Sequence, residues 1–324
     1  MIPLLLGVTQ VTVIEVILLS VAGFFGTYHR YLELTAHFKP HYLVVSLLCL
    51  SICISLQAWV WALYSLAVFA LNLAAIAPWY LPPARASGAE PGRAITVICA
   101  NVQYTNTNYA PFLGLIREEM PHVVIAQEAN APWLAHLSQL TAQFPYAVTV
   151  PGRGGSGMAL YSRLPIAHAE AVYLGQQRRP GVIARLSLGA SVLAVVTIHP
   201  PPPLHSRTSG DRNAQLLAAA KVIETVPPPK LLVGDFNTSP WSPYYKRLVR
   251  DTNLRDARKG FGLLPTWPAA LSRVGLPIDH CLVSPELTVA RMRTGPNIGS
   301  DHLPLIIDLR VPEVPPLGSY SGVS

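Results

Sequence analysis

The sequence predicts an α/β fold: a layered sandwich preceded by an all-α membrane region of about three helices. Three observations carry that expectation. Only 13% of the 324 residues are charged, against 51% hydrophobic, about half the charged fraction usual in soluble domains. The apolar excess lies in residues 1–80, where Glu15, Glu33, Arg30 and Lys39 are the only acidic or basic side chains. Beyond them, short runs rich in Val, Ile and Leu alternate with helical patterns in mixed order, which argues for a layered sandwich over a simple βαβ repeat.

Residues 1–26 are apolar except for Gln10 and Glu15, long enough to cross a bilayer, for which about 20 residues suffice. A span fits better than a secretory signal because no basic segment precedes it and hydrophobic sequence soon returns. Residues 42–80 are uncharged; as one helix they would run roughly 58 Å, about twice the hydrocarbon core, so two spans are expected. The break falls near Ser55-Leu-Gln57-Ala, and Trp59, Trp61, Tyr64, Trp79 and Tyr80 suit interfacial belts. Spans are predicted near 4–25, 41–57 and 60–79, with a buried hairpin of a soluble protein as the alternative. The Pro-, Gly- and Ala-rich stretch 81–94 reads as a linker. Residues 95–312 form the folded domain, and 313–324, rich in Pro, Gly and Ser, a flexible tail. In the domain, helices are expected at 109–119, 131–144, 211–225 and 242–250. Strands are expected at 95–101, 122–127, 157–162, 181–187, 191–198, 230–234, 279–283 and 303–310.

The segment after residue 80 holds 22 basic and 15 acidic residues and therefore all of the +7 net charge. Such a domain suits anionic partners, whether phosphorylated substrates, nucleic acid or an anionic lipid surface, or carries a generic basic surface. Cys49, Cys53, Cys99 and Cys281 fall in apolar runs without metal-type spacing and read as core.

Polar residues with useful chemistry stand at the ends of the strand-like runs. Glu128 ends Val-Val-Ile-Ala-Gln and Asn101 ends Ile-Thr-Val-Ile-Cys-Ala; a hard cation such as Mg²⁺ takes such oxygen donors, although a Glu there also serves as a helix-start charge. Gly-Asp-Phe-Asn at 234–237 puts Asp235 and Asn237 on one turn, to activate water and bind a phosphoryl oxygen or simply to form an Asx turn. Asp279 and His280 are adjacent on a strand and point to opposite faces. Asp279 is expected inward, fixing the tautomer of His302, with His280 structural. His302 would then contact a phosphoryl group and Asp301 the metal or its water. His199, before Pro200-Pro-Pro-Pro203, supplies a second imidazole or a structural one.

As an ordered set these motifs resemble the endonuclease/exonuclease/phosphatase superfamily of metal-dependent phosphoesterases. The matching elements are Asn101, Gln127-Glu128, His199, Gly-Asp-Phe-Asn at 234–237, Thr266-Trp267, Ile278-Asp-His280 and Ser300-Asp-His302. The resemblance implies a four-layer α-β-β-α sandwich of the deoxyribonuclease type. It also implies metal held by Glu128, Asn101 and Asp301, with Mg²⁺ expected and Mn²⁺ the substitute. Asp235, Asn237, His199, Asp279 and His302 would be the catalytic residues. His199 matches the deoxyribonuclease and sphingomyelinase branches; abasic-site endonucleases have Tyr there. With three spans ahead of it, the chain is similar to the bacterial membrane-anchored branch that includes the VanJ-type teicoplanin-resistance proteins. That likeness implies an integral protein of the bacterial cytoplasmic membrane, an external catalytic domain and a polyprenyl-pyrophosphate substrate. Arg30 and Lys39 in the first loop argue instead for a cytoplasmic domain. The expected function is hydrolysis of a phosphate ester or pyrophosphate in a phosphorylated small molecule or lipid-linked substrate. A nuclease of the same superfamily and a non-catalytic membrane scaffold are the alternatives. Oligomeric state is not legible.

Overall fold

The computed structural model describes residues 1–81 and 92–313. Residues 82–91 of the expected linker lie outside the described residues, as does the tail beyond Glu313; the last three linker positions, Gly92 to Ala94, already belong to the first strand. The first 80 residues fold into α1 (Ile2–Ala22), α2 (Arg30–Thr35), α3 (Lys39–Ser55) and α4 (Trp59–Ile76), with short 3₁₀ turns between and after them. Three stretches, Ile2–Phe25, Arg30–Ser55 and Trp59–Trp79, are long and apolar enough to cross a membrane. The chain reverses between α3 and α4 where expected, with Gln57 left-handed at φ 53°. Polar side chains tie the helices from within: Asn72 donates to Ser20 Oγ at 2.9 Å and Lys39 to the Ser20 carbonyl at 2.8 Å.

Helix α2 was not expected, because His-Arg-Tyr-Leu-Glu-Leu-Thr has the look of a polar loop. It docks on the domain, so the first loop and the domain share one side of the helix bundle. Arg30 donates to the Leu204 carbonyl at 3.0 Å. Both cations of the orientation argument, Arg30 and Lys39, thus have structural duties.

The domain holds two six-stranded mixed sheets. One contains β1 (Gly92–Asn101), β2 (Val123–Gln127), β3 (Tyr146–Val150), β4 (Met158–Ser162), β11 (Thr288–Thr294) and β12 (Leu305–Pro312), ordered β11-β12-β1-β2-β4-β3. The other contains β5 (Ile166–Leu174), β6 (Arg179–Leu188), β7 (Ser191–Ile198), β8 (Lys230–Asp235), β9 (Arg255–Asp256) and β10 (Asp279–Val283), ordered β5-β6-β7-β8-β10-β9. Strands β3, β5, β9 and β11 were missed, and all four are sheet edges. Three of them leave much of their length to solvent and β9 has only two residues, so none carries a continuous apolar run.

Strand periodicity builds the layers. Ile95, Val97 and Cys99 of β1 point into a core shared with Val195, Leu231, Val233 and Cys281 of the opposite sheet. Ile98 and Ala100 point the other way, against α5 (Ala110–Glu119) and α6 (Ala131–Leu137). The far face of the second sheet is covered by α7 (Ser206–Thr225) and α8 (Pro243–Thr252). The result is the four-layer α-β-β-α sandwich. Helix α6 gives way to a 3₁₀ turn after Leu137, and α7 begins five residues earlier than expected, at Ser206, where His205 and Thr208 form a capping box.

Candidate active site

Two strand ladders, the parallel β1–β2 pair and the antiparallel β8–β10 pair, bring the polar residues together. Asn101 lies beside Gln127 in the β1–β2 ladder, and Asp235 opposite Asp279 in the β8–β10 ladder. Strand ends from both sheets therefore open at one end of the sandwich. Gln127 joins them: its amide donates to the Ile198 carbonyl at 2.7 Å and to Thr197 Oγ1 at 3.1 Å, and accepts from Asp235 N at 2.8 Å. The sequence offered Gln127 only as the neighbour of Glu128; a fully buried amide linking strand to strand has no local signature.

Asp235 is the hub. Its Oδ1 accepts from Asn237 N at 2.8 Å. Its Oδ2 accepts from Asn237 Nδ2 at 3.1 Å and Asn101 Nδ2 at 3.2 Å, and faces His199 Nε2 at 3.4 Å and His302 Nε2 at 3.6 Å. Burial pushes this carboxyl up, but His302, His199 and the Asn237 N–H outweigh burial and hold it below its ordinary value. Asp235 is therefore an ionised acceptor at neutral pH.

The two imidazoles differ in their supports. His199 Nδ1 donates to the Gly155 carbonyl at 3.2 Å, and since a carbonyl only accepts, Nε2 faces the carboxylates. His302 Nδ1 donates to Asp279 Oδ2 at 2.8 Å. Thr266 Oγ1 in turn accepts from Asp279 N at 3.3 Å. Burial lowers the His302 pKa, but Asp279 and Asp235 prevail and raise it to about 10. Because this folded-state value lies above the unfolded one, the stabilisation is fully present below about pH 6.5 and is lost as pH rises through about 10. NMR titration of metal-free protein should find the His302 imidazolium intact at pH 8, and Asp279→Asn should move its midpoint down toward the ordinary histidine range. A wild-type midpoint near 6.5 would refute this electrostatic reading.

Glu128, left-handed at φ 61°, accepts from Asn101 Nδ2 at 3.1 Å and Tyr104 N at 3.1 Å. Its Oε1 lies 3.8 Å from His199 Nε2. A side chain at Gly155 would meet this carboxylate at 3.0–3.2 Å, so the glycine keeps its approach open. Among the described residues no Lys or Arg pairs with Glu128, Asp235 or Asp279 within 4.0 Å, leaving negative charge that suits a cation. Asp235, Asp279 and His302 also offer atoms within 4.8 Å of one another. His302 Nδ1 is already bonded to Asp279, however, so the Glu128 carboxylate fits a hard ion better; Asn101 Oδ1 accepts from Gln103 N at 3.0 Å and keeps one lone pair for a metal or its water. Asp301 stands at the rim. Its carboxylate accepts from Trp267 Nε1 at 3.2 Å and its charge helps raise His302, without joining the Asp235 hub.

His280 points away. It is buried, stacks on Phe236, donates from Nε2 to the Thr238 carbonyl at 2.7 Å and accepts from Arg258 at 3.1 Å. Burial and Arg258 hold its pKa well below the usual range, so it stays neutral. Arg179, half-buried at the start of β6, adds a positive charge felt by Glu128 and Asp211. In the sequence it stands in Arg178-Arg179, a basic pair without the aromatic interleaving of a nucleic-acid groove.

A family model described as the Endonuclease/Exonuclease/phosphatase family matches residues 98–302. The chain belongs to that family. Members of the endonuclease/exonuclease/phosphatase family are divalent-metal-dependent hydrolases of phosphoester bonds. Solved structures agree on the fold. An endonuclease/exonuclease/phosphatase from Beutenbergia cavernae DSM 12333 is 21% identical, with 68% of this chain and 72% of that one covered at a TM-score of 0.54. Danio rerio TDP2 complexed with a single-strand DNA product is 17% identical over 67% of this chain and 99% of its own, at 0.55. A mutant Staphylococcus aureus beta toxin with bound magnesium ions is 17% identical over 68% and 100%, at 0.51. No curated protein matches the sequence.

Proposed function

We propose that this protein is a membrane-anchored, Mg²⁺-dependent phosphoesterase that cleaves a phosphate ester or pyrophosphate bond of a lipid-linked substrate. The observation that carries the hydrolytic reading is the convergence of Asn101, Asn237, His199 and His302 on one oxygen of Asp235, at 3.1–3.6 Å. Asp235 orients a water and takes its proton as the oxygen attacks phosphorus, while the ester or pyrophosphate P–O bond breaks and the leaving oxygen departs to be protonated from solvent. Asn237, His199 and His302 bind the phosphoryl oxygens, and Asp279 keeps His302 turned toward them. Glu128 and Asn101, with Asp301 at the rim, would hold the Mg²⁺, or Mn²⁺ in its place, which supplies positive charge against the charge developing on the phosphoryl group.

The lipid-linked part of the reading rests on what surrounds the mouth. The loop after His199 meets Arg30 through the Leu204 carbonyl. The loop before Asp279 meets His41, at the start of α3, through the Val274 carbonyl at 2.9 Å. That second loop also borders the site, because Ala269 N donates to the Asp301 carbonyl at 2.7 Å. Leu204, Leu271 and Val274 are 68%, 60% and 59% exposed. Apolar side chains left free beside the ends of membrane-length helices suit the interfacial zone of a bilayer, where an amphiphilic phosphate would present its headgroup. The resemblance to the membrane-anchored branch likewise implies a catalytic domain at the membrane surface.

The test is hydrolysis by the full chain reconstituted in vesicles, with and without Mg²⁺, on phosphorylated lipids, on a soluble phosphodiester and on DNA. Wild type should need Mg²⁺ and favour the lipid. Leu271→Ser with Val274→Ser should slow lipid cleavage about tenfold while sparing the soluble ester, since the chemistry is untouched. Preference for DNA would overturn the lipid assignment and revive the nuclease reading. Inactivity on every phosphoester would overturn the whole proposal.

A further inference from the structure

The turn that carries Asn237 is held from outside the domain. Arg212, in α7, is fully buried and its guanidinium serves three acceptors on separate segments. It donates to the Asn237 carbonyl at 2.9 Å, to Asn213 Oδ1 at 2.7 Å and to Glu33 of α2 in a buried ion pair. The other Glu33 oxygen accepts from Ser242 Oγ at 2.6 Å. Four residues on, His37 Nδ1 accepts from Ser239 Oγ at 2.7 Å and from Ser239 N at 3.3 Å. The segment 237–242 is therefore gripped at its start, middle and end by residues 33–37, directly or through one arginine. Beneath it, Ala36, Ile76 and Trp79 pack with Trp241 and Leu263, and Trp241 Nε1 donates to the Ala75 carbonyl at 3.0 Å.

A buried ion pair is a poor device for stability alone, because desolvating both charges offsets most of their attraction. Its geometric specificity is the better explanation, because a planar, forked guanidinium holds its three acceptors in fixed directions where a rotatable ammonium would not. What it fixes is informative. Asn237 is a left-handed residue at φ 50°, a conformation asparagine tolerates, and its amide bonds the Asp235 hub. We propose that the loop between the first two apolar helices is a positioning element of the active site: Glu33 orients Arg212, which pins the Asn237 carbonyl and thereby aims the Asn237 amide. Full activity then requires the apolar helices to be docked, making them part of the catalytic machine as well as an anchor. This inference rests on the assignment of Asn237 to phosphoryl binding given above.

The experiment is a double-mutant cycle on the full chain in detergent, with a soluble phosphodiester and saturating Mg²⁺, accompanied by thermal melting. Glu33→Gln should lower kcat about tenfold with KM little changed and a cooperative melt retained. In an Asn237→Ala background the same substitution should cost less than twofold, because the group being aimed is gone. Effects that multiply, or an unchanged kcat in Glu33→Gln, would overturn the proposal. Should Glu33→Gln fail to fold, Arg212→Lys keeps the charge while losing the fork, and the same non-additivity with Asn237→Ala is required of it. If Asn237→Ala alone retains full activity, the underlying assignment has failed instead, which the cycle reports separately.

Discussion

Asp235→Asn should lower kcat for phosphoester hydrolysis by about 10³-fold or more, the range expected when a positioned base and its charge are removed together. The substitution keeps the shape of the side chain while inverting part of its function. An amide cannot take a proton from water, and its NH₂ would confront a donor either way it turned: Asn237 N in place of Oδ1, or Asn101 Nδ2 and Asn237 Nδ2 in place of Oδ2. His199 and His302 would also lose the anion they face. Glu128→Ala should differ in kind: its defect should ease as Mg²⁺ is raised, whereas that of Asp235→Asn should not. Steady-state kinetics over a Mg²⁺ series separates the two, and activity indifferent to both substitutions would reject the assignment of the site.

The second large effect is structural and belongs to the residue just before. Gly234 has φ 153°, and a Cβ there would come within 2.2 Å of the Ile198 carbonyl oxygen and 2.4 Å of Gln127 Nε2. Backbone on one side and a buried, triply bonded amide on the other leave no room to yield. Gly234→Ala should destabilise the domain by about 3 kcal/mol, roughly 6–12 °C in melting temperature, from overpacking and backbone strain combined. Activity should disappear with it, because Asp235 N takes its direction from the same Gln127. A melt within about 2 °C of wild type would show that the packing here is looser than the geometry implies.

Much of the scaffold was legible because burial writes itself into sequence. Strands β1, β2, β7 and β8 sit in sheet interiors and read as mostly apolar runs rich in Val, Ile and Leu. Strands β3, β5, β9 and β11 lie at edges and lack that signal. The site was legible wherever a polar residue interrupted such a run at its end, as with Asn101, Glu128 and Asp235. Asp279 and His280 could even be separated by strand alternation alone, and the structure turns them to opposite sides. What stayed hidden depends on meetings between distant segments. Glu33 and Arg212 are 179 positions apart, and nothing near either one announces the other. Asp301 shows the opposite limit: its motif marks it out, yet its carboxylate rests on Trp267 at the rim instead of entering the hub.

One primary amide, that of Gln127, belongs to both halves of the sandwich and also sets the heading of the central carboxylate. Sliding one β layer against the other by a single residue, about 3.3 Å, would tear three of its bonds at once. Shear in the scaffold and misalignment of the reacting groups are thus the same event, so the enzyme cannot soften its core without blunting its chemistry.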